Sequence, residues 1–342
     1  MREAMLAAPL GDDVFGDDPT VNLLQTQLAE LLGKERALFV PSGTMANQLA
    51  VRSHTCSGDE IVLHHRSHIY NYEGGGAAAL AGVSIRTIES ADGSLPLDAV
   101  EAALHLSSDP HFAPTSLVCF ENTNNGCGGV IVPQDNITAV MTLVRERAQK
   151  SGKEIGFHLD GARLFNAQAA SGVPVRELAA GFDTVSICLS KGLGAPVGSV
   201  LVGSEALIQR AYRFRKMYGG GMRQAGILAA AGLHALKHHV AGLTDDHRRA
   251  KRLASGFAAI DGVHVDLDSV QSNLVYFDLP SDHPLASVGE DDIPLLVGRL
   301  LREHGVMITG SPTRMRAVLH LGIDDEDVAA TIDAMKTVTK SA

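Results

Sequence analysis

Four short apolar runs constrain this chain most: Ile61-Val62-Leu63, Leu117 to Phe120, Ile155 to Leu159 and Thr184 to Leu189. They read as strands with apolar residues on both faces. Such strands belong in a parallel sheet that helices cover on each side. Helical spacing fills the intervals: Leu97 to Leu106, and Ile137 to Gln149 with Ile137, Val140, Met141 and Val144 on one face. Earlier in the chain, Asp18 reads as an N-cap before a first-turn Pro19. Val21, Leu24, Leu28, Leu31 and Leu32 then recur at helical spacing up to a stop at Gly33. Ala37 to Val40 is a short apolar run, Thr44 to Arg52 a helix and Val83 to Ile88 a strand. The alternation predicts an α/β domain with a mostly parallel central sheet flanked by helices.

After Ser204 the pattern is helical to about Ile260, broken at Gly219-Gly220-Gly221. Strands are expected at Val263 to Leu267, Asn273 to Leu279, Val306 to Thr309 and Ala317 to Leu321, with helices at Ile293 to His304 and Asp327 to Val338. This mixed order predicts a smaller C-terminal α+β domain, which divides the chain into residues 1–240 and 241–342. The length of 342 residues suits two domains, and 45% hydrophobic residues can build their cores. With 29 basic against 39 acidic side chains, the net charge of −10 argues against nucleic acid or an anionic membrane as the main partner. No apolar run approaches the roughly 18 residues of a membrane span. Met1-Arg2-Glu3-Ala4-Met5-Leu6 carries no signal pattern. Cys56, Cys119, Cys127 and Cys188 form no C-x-x-C pair. Cys119 and Cys188 are expected as buried thiols, which fits a reducing cytoplasm.

Three motifs fall where strands end and helices begin. Pro41-Ser42-Gly43-Thr44 offers amides and hydroxyls for an anion at a helix N-terminus, or simple N-capping. His158-Leu159-Asp160-Gly161-Ala162-Arg163 puts Asp160 at the carboxyl end of a buried strand, where open α/β sheets bind ligands. There Asp160 could also pair with Arg163 or cap a helix. Ser190-Lys191-Gly192-Leu193-Gly194 puts a lysine directly after another buried strand, and a desolvated lysine can form a Schiff base. Pyridoxal 5'-phosphate needs this set: an amine for its aldehyde, a carboxylate for its ring nitrogen and donors for its phosphate. No Walker loop, G-x-S-x-G elbow or dinucleotide fingerprint occurs in context. His64, His65 and His68 cluster locally, but no neighbouring carboxylate or cysteine completes a metal site, so no metal is expected.

With these residues in view, the chain resembles the low-specificity L-threonine aldolase family of fold-type-I, aspartate-aminotransferase-like pyridoxal-phosphate enzymes. The resemblance covers nearly the whole chain. It is carried by Gly11 to Asn22, Pro41 to Asn47, His158 to Asn166, Leu189 to Ser199 and Arg215 to Gln224. It implies Lys191 as the Schiff-base lysine, Asp160 as partner of the ring nitrogen, and Gly43 and Thr44 as phosphate donors. His68 is similar to the histidine that stacks on the cofactor and approaches the substrate hydroxyl. Arg163 and Arg316 resemble the clamp on the substrate carboxylate. Lys216 and Arg223 match basic positions near the active site. The implied reaction cleaves a β-hydroxy-α-amino acid, with threonine to glycine and acetaldehyde as reference. Phenylserine-type cleavage, β-elimination, racemisation or cofactor binding with weak turnover are the alternatives. Family members are commonly homotetramers with sites shared between subunits.

Three departures from the family pattern stand out. Its usual opening segment contains Arg-Ser-Asp and Thr-x-x-Pro, and the serine helps hold the carboxylate. This chain starts at Met1-Arg2-Glu3-Ala4-Met5, after that segment, which leaves a misassigned or truncated start, or an enzyme without that contact, as the alternatives. Glu121-Asn122-Thr123-Asn124-Asn125 stands where the family often has a histidine in place of Asn124. Asn124 can hydrogen-bond near the hydroxyl but cannot act as a base, which leaves His68 or a water it orients. Phe15 replaces a common tyrosine.

Overall fold

The computed structural model describes residues 1–288, 293–311 and 313–340. By contact, the chain divides into two compact units: residues 1–127 with 131–240, and residues 128–130 with 241–342.

The first unit holds a seven-stranded sheet of β1 (Arg36–Val40), β2 (Glu60–His64), β3 (Ser84–Ile88), β4 (Thr115–Glu121), β5 (Gly156–Asp160), β6 (Thr184–Cys188) and β7 (Ser199–Gly203), in the order β1-β7-β6-β5-β4-β2-β3. Strands β6, β5, β4, β2 and β3 run parallel, as the apolar runs imply. Strand β7 was not foreseen. It returns directly from β6 and pairs antiparallel with both β6 and β1. Every residue of β2, β6 and β7 is buried. Phe39 on β1 and Phe157 on β5 are at most 1% exposed. Each such side chain contributes about 1.5–3 kcal/mol by leaving water.

Helix boundaries follow local chemistry. Asp18 Oδ1 accepts from the amides of Thr20 and Val21, which opens helix Pro19–Leu32, and Gly33 closes it in the left-handed region. Two stretches with family-like sequence turn out to pack on each other. Asp12 pairs with Arg223 at 2.6 Å, Asp13 with the buried Arg215 at 2.9 Å, and the Gly226 amide donates to Asp18 Oδ2 at 2.8 Å.

The second unit carries the antiparallel sheet β8 (Leu274–Phe277), β9 (Thr309–Ser311) and β10 (Arg314–Val318), ordered β8-β10-β9, with helices Leu243–Ala258, Leu295–His304 and Asp325–Lys340. Its core includes Phe257 edge-on to Phe277 at 4.9 Å. Two expected strands are corrected here. Val263 to Leu267 makes only an isolated bridge at His264, because the Asp266 carboxylate caps a 3₁₀ turn at Leu267–Ser269. Val306 to Thr309 reaches the sheet only at Thr309, because the Val306 amide closes the preceding helix on Leu300 O. Among the described residues no helix is long and apolar enough to cross a membrane.

Candidate active site

Strands β5 and β6 are parallel neighbours, with Asp160 opposite Ser186. Asp160 is therefore the last residue of β5, and Lys191 follows the end of β6 by three residues. Ser42, Gly43, Thr44, His68, Asp160 and Lys191 line one cavity of about 230 Å³. A larger cavity of about 650 Å³ opens elsewhere, beside the structural Asp13–Arg215 pair, and contains none of these groups.

The anion cradle is built by helix Gly43–His54. Ser42 is its N-cap, and its Oγ accepts the Met45 amide at 3.1 Å. The amides of Gly43 and Thr44 stand one step earlier, where no intrahelical acceptor exists, so they could donate to an anion. Gly43 must lack a side chain, since a Cβ there would lie 2.6 Å from Cys188 Sγ. This crowding keeps the first turn tight against the end of β6.

Asp160 is held rigidly. Its Oδ1 accepts from the Ala162 amide at 3.1 Å and its Oδ2 from Asn47 Nδ2 at 2.8 Å. Asn47 is oriented from behind: its Oδ1 accepts from Ser186 Oγ at 2.8 Å and meets His158 Nε2 at 3.1 Å. Burial pushes the His158 imidazole down to about 3, so it is neutral at physiological pH. Its Nδ1 lies 2.9 Å from Thr184 Oγ1. These contacts aim the Asn47 amide nitrogen at the carboxylates.

His68 starts the short helix His68–Asn71. Its amide donates to Glu121 Oε2 at 2.6 Å, and its Nδ1 lies 2.8 Å from Glu73 Oε1. Glu121 also accepts from the Asn125 amide at 2.8 Å. Burial, then the charge of Asp160, push the Glu121 carboxyl up to about 7. Carboxylates distant in sequence do reach this histidine: ligand atoms of His68, Glu73 and Asp160 lie within 4.8 Å of one another. The oxygens of Glu73 are occupied by hydrogen-bond donors from His68, Asn47 and Gln48.

The remaining residues fall into three groups. Asn124 is fully buried, its Oδ1 accepts the Cys127 amide at 3.0 Å, and it does not line the cavity. Gly93 leaves space for it, since a Cβ there would sit 2.8 Å from Asn124 Cβ. Arg163 is half-buried at the entry to helix Leu164–Ser171, three residues beyond Asp160, and is not among the cavity-lining residues. Lys216 and Arg223 are exposed, and Arg223 is bound to Asp12 and lies over the Phe15 ring. Arg316 lies on β10 of the second unit, opposite Tyr276. Glu73, Asn47, Gln48 and Glu121 were missed by the motif reading. Asn47 and Glu121 lie in family-like runs that assigned them no role, and for Glu73 the hint was an acid directly before Gly74-Gly75-Gly76.

A lysine and an aspartate at adjacent parallel strand ends, facing an anion cradle at a helix start, define a fold-type-I pyridoxal-phosphate enzyme. The donors fit that cofactor: an amine, a buried carboxylate fixed by two donors, and two first-turn amides beside a glycine that admits no Cβ. The family described as Beta-eliminating lyase matches residues 1–280. The low specificity L-threonine aldolase of Escherichia coli K12 is 44% identical over 330 residues, covering 96% of this chain and 92% of that protein. Low-specificity L-threonine aldolase 1 of Arabidopsis thaliana is 41% identical over 343 residues, covering 98% and 91%. The solved structure of Leishmania major threonine aldolase superposes with a TM-score of 0.77 at 20% identity, covering 99% of this chain and 94% of that one, a likeness in fold. The chain belongs to this pyridoxal-phosphate-dependent family of β-eliminating lyases and threonine aldolases.

Proposed function

We propose that this enzyme cleaves β-hydroxy-α-amino acids between Cα and Cβ, releasing glycine and an aldehyde, with L-threonine and L-allo-threonine as reference substrates. The observation that carries this reading is the convergence of Lys191, Asp160, His68 and the Ser42–Thr44 cradle on one cavity. The names of the full-length relatives support the substrate class. When bound, pyridoxal phosphate supplies an electron-accepting ring for the pair of a bond broken at Cα. Lys191 would anchor it through its amine, Asp160 would hold the proton on its ring nitrogen, and Ser42, Gly43 and Thr44 would bind its phosphate. Arg163 and Arg316 hold the substrate carboxylate, which orients the Cα–Cβ bond. His68 takes the β-hydroxyl proton, a role open to it because Asn124 cannot act as a base. Lys216 and Arg223 belong to the same substrate-binding set, although neither lines this cavity.

Wild-type holoenzyme is expected to release acetaldehyde from both threonine epimers, and Arg163→Lys to raise KM about 10- to 100-fold, as loss of a charged bidentate contact would. Absence of aldehyde from both epimers with cofactor bound would overturn the reaction. An unchanged KM would remove Arg163 from the clamp.

A homotetramer in the cytoplasm belongs to the same reading. Leu6, Leu23, Leu31 and Ile227 expose apolar surface on helices Arg2–Leu6, Pro19–Leu32 and Gly226–His238. This exposed apolar surface supports a contact with another chain. Cys119, Cys127 and Cys188 are buried free thiols, suited to a reducing compartment. Sedimentation of the purified protein and fractionation of cells check both points; a monomer or a secreted enzyme would refute them.

A further inference from the structure

We propose that Glu73 is a positioning residue for the cleavage step, holding the proton of His68 on Nδ1 so that Nε2 alone exchanges protons with the substrate. The inference rests on His68 as the proton acceptor.

The Glu73 side chain is fully buried. Its Oε1 accepts from Asn47 Nδ2 at 2.8 Å and lies 2.8 Å from His68 Nδ1, while its Oε2 accepts from Gln48 Nε2 at 2.5 Å. Three donors from two helices thus converge on a side chain that follows the second of them. A carboxylate only accepts, so the His68 nitrogen that faces it must carry hydrogen. The tautomer protonated at Nε2 alone would set the Nδ1 lone pair against Oε1 and is excluded. In the neutral ring Nε2 then holds a lone pair, and in the imidazolium it holds a proton. On proton transfer the O–H bond of the substrate breaks and an N–H bond forms at Nε2. The pair left on oxygen becomes part of the aldehyde carbonyl as the Cα–Cβ bond breaks and its pair stays with Cα, and the imidazolium that results keeps Glu73 as its counter-ion.

Glu73 is also wired to the cofactor carboxylate. The two hydrogens of Asn47 Nδ2 go one to Glu73 Oε1 and one to Asp160 Oδ2. Movement of one carboxylate would disturb the other, so Asn47 keeps His68 in register with Asp160. The hydrogen bond to Glu73 is the largest influence on His68 and raises its pKa above the ordinary value, against the effect of burial. Asp160 raises it further and Lys191 lowers it. The other groups around the ring are Glu121, bound to the His68 amide, and Tyr72, whose ring centroid lies 5.7 Å away.

The test is Glu73→Gln in the holoenzyme, read by the pH profile of kcat and by ¹⁵N shifts of labelled histidine assigned through His68→Gln. Removing the carboxylate removes the main upward influence. The acid limb of kcat and the His68 titration should therefore both move to lower pH. Plateau kcat should fall on the order of 10²-fold, as for a lost acid–base contribution, with little change in KM. In the wild type, His68 should carry its neutral-state proton on Nδ1. A wild-type Nε2–H tautomer overturns the proposal even if the variant fails to fold. An unmoved His68 titration in Glu73→Gln, with His68→Gln inactive, overturns the role of Glu73 alone. A fully active His68→Gln enzyme overturns the base assignment beneath it.

Discussion

Lys191→Ala is expected to abolish covalent cofactor attachment and to lower turnover by more than any other single change at this site. Lys191 meets the same cavity as Asp160, His68 and the Ser42–Thr44 amides, and is the lysine among its lining residues. Alanine removes both the amine that anchors the aldehyde and a group able to move a proton at Cα. Proton transfer alone is worth about 10²–10⁴-fold, and the loss of the anchor adds to it. The phosphate cradle is untouched, so the variant should still bind pyridoxal phosphate reversibly. Borohydride treatment followed by peptide mapping separates the cases. In the wild type the reduced cofactor should map to Lys191, and in the variant no lysine should be labelled. A label on another lysine of the wild type would sink the assignment.

Asp160→Asn should leave the fold and the phosphate site intact but cost on the order of 10²–10³-fold in kcat, as loss of a preorganised electrostatic partner does. An amide has nearly the volume of the carboxylate, but it cannot hold a proton on the ring nitrogen by charge. The substitution also confronts two donors, the Asn47 Nδ2 and the Ala162 amide, with a side chain that carries one acceptor oxygen. A second consequence has a definite sign. Burial is the main reason that the Glu121 carboxyl is pushed up to about 7, and the charge of Asp160 adds to it. Removing that charge should let Glu121 ionise at lower pH, visible as a shifted carboxyl titration in the infrared. Near wild-type turnover with bound cofactor would show that Asp160 does not serve the ring nitrogen.

Much of the site was legible because its motifs are tied to strand ends. A buried parallel strand must finish in a loop at the carboxyl edge of the sheet, so Asp160 and Lys191 had to emerge together once β5 and β6 were neighbours. The cradle at Ser42–Thr44 could be read for a similar reason, since a helix start declares its own free amides. Glu73 could not be read this way. It belongs to no strand end and no cap, and its meaning lies in partners 5, 25 and 26 residues away. Asn124 shows the opposite case. Its place in a family-like run marked it for chemistry, yet its Oδ1 accepts the Cys127 amide in the interior.

Arg215 to Gln224 and Gly11 to Asn22 are two of the stretches that carry the family resemblance. In the folded unit they meet each other through Asp13–Arg215 and Asp12–Arg223. A buried aspartate such as Asp13, whose carboxyl burial pushes upward, requires that arginine whatever the chemistry elsewhere.

By itself the sequence determined the class of fold and pointed to the cofactor, because apolar period, strand-end position and helix-start chemistry are local properties. Only the tertiary structure decided that β7 turns back antiparallel between β6 and β1, that Asn47 joins two carboxylates, and that Glu73 faces His68. Those choices depend on which buried donors find acceptors once the sheet has closed. That pairing is settled by packing across the unit and leaves almost no trace in local spacing.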